Sequence, residues 1–102
     1  MSVALDSELT FRKLAIFMAF MERGNIARTA EALDISAVSV HRALHTLEEG
    51  LRCPLFTHKG RNLVPLPAAW TLFEYSKEVT QLMARGLEET RRIAGVGQGR
   101  LR

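Results

Sequence analysis

The chain has one cysteine, Cys53, in 102 residues, so no internal disulfide framework can form. A reducing, cytoplasmic setting is expected. Cys53 lies in the apolar run Leu51-Arg52-Cys53-Pro54-Leu55-Phe56 and reads as a small packed hydrophobe rather than a redox switch. No apolar stretch approaches the ~18 residues a membrane span needs. Residues 1–6 carry no basic leader, and Arg12 and Lys13 run straight into a helical pattern rather than a cleavable signal. Catalytic constellations are also missing. No Ser, His and acid arrangement stands out, and no Gly-rich phosphate loop follows a strand, so the chain reads as a non-enzyme with no cofactor. His41 and His45 share a helix face, which suits a metal. However, Arg42 follows His41 where a zinc protease helix carries Glu, and no third ligand cluster accompanies them, so no metal is expected. Lysine is scarce as well: Lys13, Lys59 and Lys77 are the only ones, and arginine supplies the rest of the 14 cations. Its planar fork matches phosphate and guanine. The net charge of +3 permits a nucleic-acid partner without establishing one.

What remains is helical periodicity with clear punctuation. Residues 1–9 hold no strong signal and are expected to be a frayed arm. Thr10 is a candidate N-cap for a first helix, with Phe11, Leu14, Phe17, Met18 and Met21 on one face and Gly24 as its stop. Asn25 then caps a short helix over 26–33, with Ile26, Ala30 and Leu33 inward. Asp34-Ile35 forms a tight turn. Ser36 caps a third helix to about residue 49, with Val40, Leu44 and Leu47 inward and Gly50 as its stop. Leu55 to His58 and Leu63 to Leu66 read as two strands joined by the turn Lys59-Gly60-Arg61-Asn62. Pro67 opens a long helix over 67–94. Its apolar residues Leu72, Tyr75, Val79, Leu82, Met83, Leu87 and Ile93 form a stripe too long for a ~65-residue domain to cover, so a partner helix is expected. Gly95-Val96-Gly97-Gln98-Gly99 reads as a flexible linker.

Helix, short helix, tight turn, helix and hairpin describe a mainly α, winged helix-turn-helix fold followed by a long dimerisation helix. The expected organisation is a winged helix-turn-helix domain at 1–66, a dimerisation helix at 67–94 and a hinge at 95–102. The small Ala30 allows the second and third helices to approach where they cross. Packing Val40, Leu44 and Leu47 down leaves Ala37, Val38, Ser39, His41, Arg42 and His45 for the outer face or rim. That face suits a recognition helix in a major groove: Ser36 and Ser39 for phosphate or base edges, Arg42 for guanine, and Ala37 and Val38 for thymine methyls. Arg52, His58, Lys59 and Arg61 are candidate contacts to flanking backbone or minor groove. Asn25 and Arg28, on the short helix and its cap, complete the candidate set. The scaffold also occurs in proteins that never touch DNA, so a helical protein-interaction module is the alternative.

From Phe11 to Phe56 the residues resemble the N-terminal domain of LysR-type transcriptional regulators. The match runs through Leu14, Phe17, Gly24-Asn25-Ile26, Ala30-Glu31-Ala32-Leu33, Ile35-Ser36, Val40, Arg42, Leu44, Leu47-Glu48, Leu51 and Leu55-Phe56. It continues into Gly60-Arg61 and Leu66. Within that family, Gly24 to Ala30 and Ser39 to Leu47 are similar to regulators of malonate-utilisation operons. The resemblance implies a bacterial homodimer that binds an inverted-repeat operator in double-stranded DNA. It implies that the long helices pair antiparallel and that any small-molecule inducer binds a further C-terminal domain. Residues 97–102 resemble the start of that domain, so the chain is expected to be an N-terminal piece of a longer regulator. Several residues depart from the family pattern. Ala37 stands where Gln is common, His41 where Ser is usual, His58 where Arg is frequent, and Trp70 where Gly is common. Trp70 is expected to pack on the first helix or the wing.

Overall fold

A computed structural model describes residues 10–95. The expected arm at 1–9 and the linker and hinge residues from 96 onward lie outside the described residues. The first helix, α1 (Phe11–Arg23), starts where the Thr10 side chain accepts a hydrogen bond from the Lys13 N–H at 3.1 Å. It ends where Gly24 turns left-handed at φ 88°. Helix α2 (Ile26–Leu33) is capped by Asn25, whose side-chain oxygen accepts from the Arg28 N–H at 2.7 Å. Asp34, left-handed at φ 57°, makes the turn into α3 (Ala37–Leu51), which Ser36 caps.

α3 runs past the stop expected of it. Gly50 stays helical, and Arg52 takes the left-handed position at φ 54° instead. Glycine only lowers the cost of leaving a helix. Here Leu51 packs against the core, and the last carbonyls are met by the backbone N–H groups of Arg52 and Cys53. Cys53 itself is half-buried and packed against the same core.

The wing is an antiparallel pair, β1 (Phe56–Lys59) and β2 (Asn62–Pro65), with Phe56 opposite Pro65 and Lys59 opposite Asn62. Both strands sit one residue nearer the turn than expected. Lys59 and Asn62 are paired, and the loop is only Gly60-Arg61, with Gly60 at φ 65°. That value suits the first position of a two-residue hairpin loop and disfavours a residue with a Cβ. The last helix is α4 (Pro67–Ala94), closed by left-handed Gly95.

One core joins all these elements. Ile16, Phe17, Phe20 and Met21 from α1 meet Val40, Leu44 and Leu47 from α3, Leu55 and Phe56 from the wing, and Ala69 and Phe73 from α4. The Phe56 ring stands edge-on to Phe20 at 5.3 Å and tilted to Phe17 at 6.1 Å, which ties the wing to α1. The apolar face of α1 is wider than a single stripe: Ile16 and Phe20 are buried, whereas Phe11 is exposed. On α2 the fully buried residue is Thr29, whose hydroxyl donates to the Asn25 carbonyl at 2.8 Å; Ile26 and Leu33 are only half-buried. The burial of Ala30 agrees with the close helix crossing expected there.

On α4 the residues turned into the core are Ala69, Phe73 and Ser76. Leu72, expected in the exposed stripe, packs partly against this core. Trp70 is nearly half exposed, with its ring edge-on to Phe73 of its own helix at 6.0 Å. From residue 81 to 95 every residue of the chain is exposed.

Candidate nucleic-acid interface

Three buried residues orient α3. Val40 and Leu47 are fully buried and Leu44 nearly so, which pins one face of the helix to α1 and α2. The opposite face is then dictated by helical spacing. Val38, His41, Arg42 and His45 lie at i, i+3, i+4 and i+7, and all four are exposed. They form one ridge, mixed in chemistry: an isopropyl group, two imidazoles and a guanidinium. Ala37 is exposed at the ridge's leading end and Ser39 is half-buried beside it.

The N-terminus of α3 is already partly committed. Ser36 Oγ accepts from the Ser39 N–H at 3.0 Å and donates to Ser39 Oγ at 2.9 Å. The capping hydroxyl is therefore occupied at both its donor and an acceptor site, and Ser39 is the hydroxyl whose own proton can turn outward. At the other end of the ridge, His45 Nε2 lies 3.2 Å from Glu49 Oε2, an ion pair whenever the imidazole carries its second proton. Both side chains are more than half exposed, so this pair orients His45 more than it stabilises the helix.

The tertiary structure adds cations that spacing along the chain could not assign. A groove of about 340 Å³ lies between the start of α1 and the middle of α3, lined by Thr10, Arg12, Lys13 and Ile16 on one side and Ser39, Arg42, Ala43 and Thr46 on the other. Arg12 and Lys13 thereby join Arg42 in one basic cluster around a mostly apolar floor. Neither is among the DNA-contact candidates read from the sequence. Their signal is visible only once α1 crosses α3.

The remaining candidates are distributed. Asn25 is the α2 cap and is exposed. Arg28 does not join the α3 ridge. It lines a separate open groove with Glu22, Arg23, Glu31 and Ala32, against the C-terminal end of α1, where two carboxylates accompany it. Arg52 is exposed at the C-terminal end of α3, a 15-residue helix away from Ser36. On the wing, His58, Lys59 and Arg61 are all exposed. His58 and Lys59 are adjacent in β1 and so project to opposite faces of the hairpin. His58 shares its face with Phe56 and its cross-strand partner Leu63.

One contact holds the wing in its place beside α3. Glu48 Oε2 accepts from the Leu55 N–H at 2.7 Å and from the Phe56 N–H at 3.0 Å. The Leu66 N–H donates to the Leu55 carbonyl at 2.8 Å, fixing the same point from the return strand. Among the described residues there is no group of three or more His, Cys, Asp or Glu side chains arranged to hold a metal, and no helix long and apolar enough to cross a membrane.

Residues 11–70 match the family described as bacterial regulatory helix-turn-helix protein, lysR family. The chain is 71% identical over 98 residues to the malonate utilization transcriptional regulator of Klebsiella pneumoniae. That match covers 96% of this chain and 32% of the relative. Among solved structures, the DNA-binding domain of CbnR in complex with DNA superposes with a TM-score of 0.77 at 28% identity, covering 82% of this chain and 97% of that one. The DNA-binding domain of BenM bound to a catB site gives the same TM-score at 25% identity, covering 82% and 94%. The winged-helix arrangement with its long terminal helix is therefore shared with these regulators. The chain spans about a third of the length of its malonate relative.

Proposed function

The chain belongs to the lysR family of bacterial regulatory helix-turn-helix proteins, and on that premise we propose that it is the sequence-specific, double-stranded-DNA-binding end of a transcription regulator. The observation that carries this reading is the α3 ridge. Val38, His41, Arg42 and His45 face outward together because Val40, Leu44 and Leu47 hold the opposite face down. In the major groove, Arg42 is suited to the two acceptors of guanine, and Ala37 and Val38 to thymine methyls. Ser36 and Ser39 sit at the helix N-terminus, where backbone N–H groups and the dipole favour phosphate. His41 and His45 add polar contact along the ridge. Arg12 and Lys13 extend the phosphate contacts from α1. Lys59 and Arg61 at the wing tip, with His58 behind them, meet the flanking backbone or minor groove, and Arg52 and Asn25 lie at the rim.

The proposed organisation is a DNA-binding unit at 1–66, a dimerisation helix at 67–94 and a hinge at 95–102 leading to a further domain that binds the inducer. The state of α4 supports dimerisation. Tyr75, Val79, Leu82, Met83, Leu87 and Ile93 are 44–76% exposed. Among the described residues, the distal half of α4 is exposed throughout, and an isolated helix of that length is marginal in water. A second copy laid antiparallel covers the stripe and presents two α3 ridges to an inverted repeat. The identity to the Klebsiella regulator supports control of malonate-utilisation genes by the whole protein.

Titration of the operator with the purified chain tests this. Arg42→Ala is expected to weaken operator binding by about 1–3 kcal/mol and to relax discrimination at one base pair. Unchanged affinity and selectivity would remove Arg42 from the interface. Lys59→Ala is expected to act differently, weakening all duplexes alike and reducing the salt dependence by about one unit of slope. A loss confined to one sequence would contradict the backbone role. If the wild-type chain showed no salt-dependent duplex binding at micromolar concentration, the protein-interaction alternative would replace the whole reading.

A further inference from the structure

Helix α4 has one glycine in its interior, Gly86. Glycine there weakens a helix relative to alanine, and among the described residues nothing calls for it. Gly86 is not among the residues at positive φ, and a Cβ built on it would meet no atom within 4 Å. Neither backbone conformation nor internal packing explains the missing side chain.

Its position around the helix does. Val79, Gly86 and Ile93 repeat at intervals of seven, which keeps successive members within about 20° of one another around the axis. Tyr75, Leu82 and Met83 lie within about 60° of the same line, whereas Arg85, Arg92 and Glu88 lie about 100–160° away from it around the axis. Gly86 is thus a notch in the middle of the exposed apolar stripe, bounded by large side chains along the helix on either side.

We propose that Gly86 forms a hole in the seam between the α4 helices of two copies of this chain, filled by a side chain of the mate, and that it sets their register. This rests on the pairing of α4 proposed above. The exposed stripe runs from Tyr75 to Ile93, so its middle falls at Ala84. A two-fold axis there places Leu82 of each copy opposite Gly86 of its mate, two residues either side of the axis. Leu82 is 62% exposed in the single subunit and has the length to fill the notch. A knob entering a hole of this kind is what fixes the register of paired helices.

Sedimentation equilibrium of the 102-residue chain separates this from the ordinary behaviour of an exposed helical glycine. Gly86→Ala is expected to raise helicity by circular dichroism and yet to weaken self-association at least tenfold, because the added methyl occupies the notch. Arg85→Ala, one residue away on the charged face, is expected to leave the association constant unchanged. Self-association that is unaltered or tighter in Gly86→Ala would overturn the notch while leaving the pairing intact. A wild-type chain that stays monomeric across the range would overturn both.

Discussion

Val79→Asp is expected to convert the chain from dimer to monomer and to weaken operator binding by about two to four orders of magnitude, the range over which linked binding sites exceed single ones. Val79 lies in the N-terminal part of the α4 stripe. It is 44% exposed in the subunit, with Tyr75 one turn before it and Leu82 and Met83 one turn after. In the proposed pair it lies in the seam, where a carboxylate would lose water without gaining a partner. Among the described residues Val79 is outside the core, where α4 buries Ala69, Phe73 and Ser76. Thermal unfolding of the winged domain should therefore change little while the sedimentation coefficient falls. The monomer keeps its α3 ridge and its wing, so salt-dependent binding to one half-site should persist. A variant that remained dimeric, or a monomer that bound the full operator as tightly as wild type, would remove α4 from the mechanism.

The parts of this structure that were legible in the sequence are those written locally. Thr10, Asn25 and Ser36 each place an oxygen over the N–H three residues on, and the starts of α1, α2 and α3 fall where those caps predict. Pro67 and Gly95 bracket α4 in the same way. The α3 ridge was legible too, because the spacing of Val40, Leu44 and Leu47 leaves one outer face. Signals that depend on the crossing of distant elements were not. Ile16 and Phe20 fall outside the stripe read through Phe11, Leu14, Phe17, Met18 and Met21, yet α1 is covered by α2, α3 and α4 together and buries more than one line of side chains. Leu72 and Phe73 are adjacent and both apolar, and only the angle at which α4 lands decides which of them enters the core. Arg12 and Lys13 sit ~27 residues from Ser39 and Arg42 along the chain, and the groove they share exists only after folding. Gly50 misled because a glycine permits a stop without requiring one.

The same reasoning makes Glu48 the most consequential polar residue that periodicity could not identify. Glu48→Ala is expected to destabilise the chain by about 3 kcal/mol, because it strips the acceptor from two backbone N–H groups, each costing roughly 1–3 kcal/mol if left unmet. The Leu55 and Phe56 N–H groups lie seven and eight residues beyond Glu48, and no helix or strand ladder satisfies them. Leu55 is 2% exposed, so water reaches that point poorly. The consequence extends to function. Phe56 carries the wing onto Phe17 and Phe20, and the same two N–H groups fix where β1 begins. Releasing them frees Lys59 and Arg61 from a set distance to the α3 ridge, so affinity should fall along with stability. Glu48→Gln separates hydrogen bonding from charge. Its amide oxygen can still accept from both donors, and the loss should be about half as large, since hydrogen bonds to an ionised acceptor are roughly twice as strong. Urea unfolding of the three chains gives the stabilities, and amide exchange at Leu55 and Phe56 reports the contact directly. Wild-type protection at those two amides in Glu48→Ala would show that the wing is held by its aromatic anchor alone.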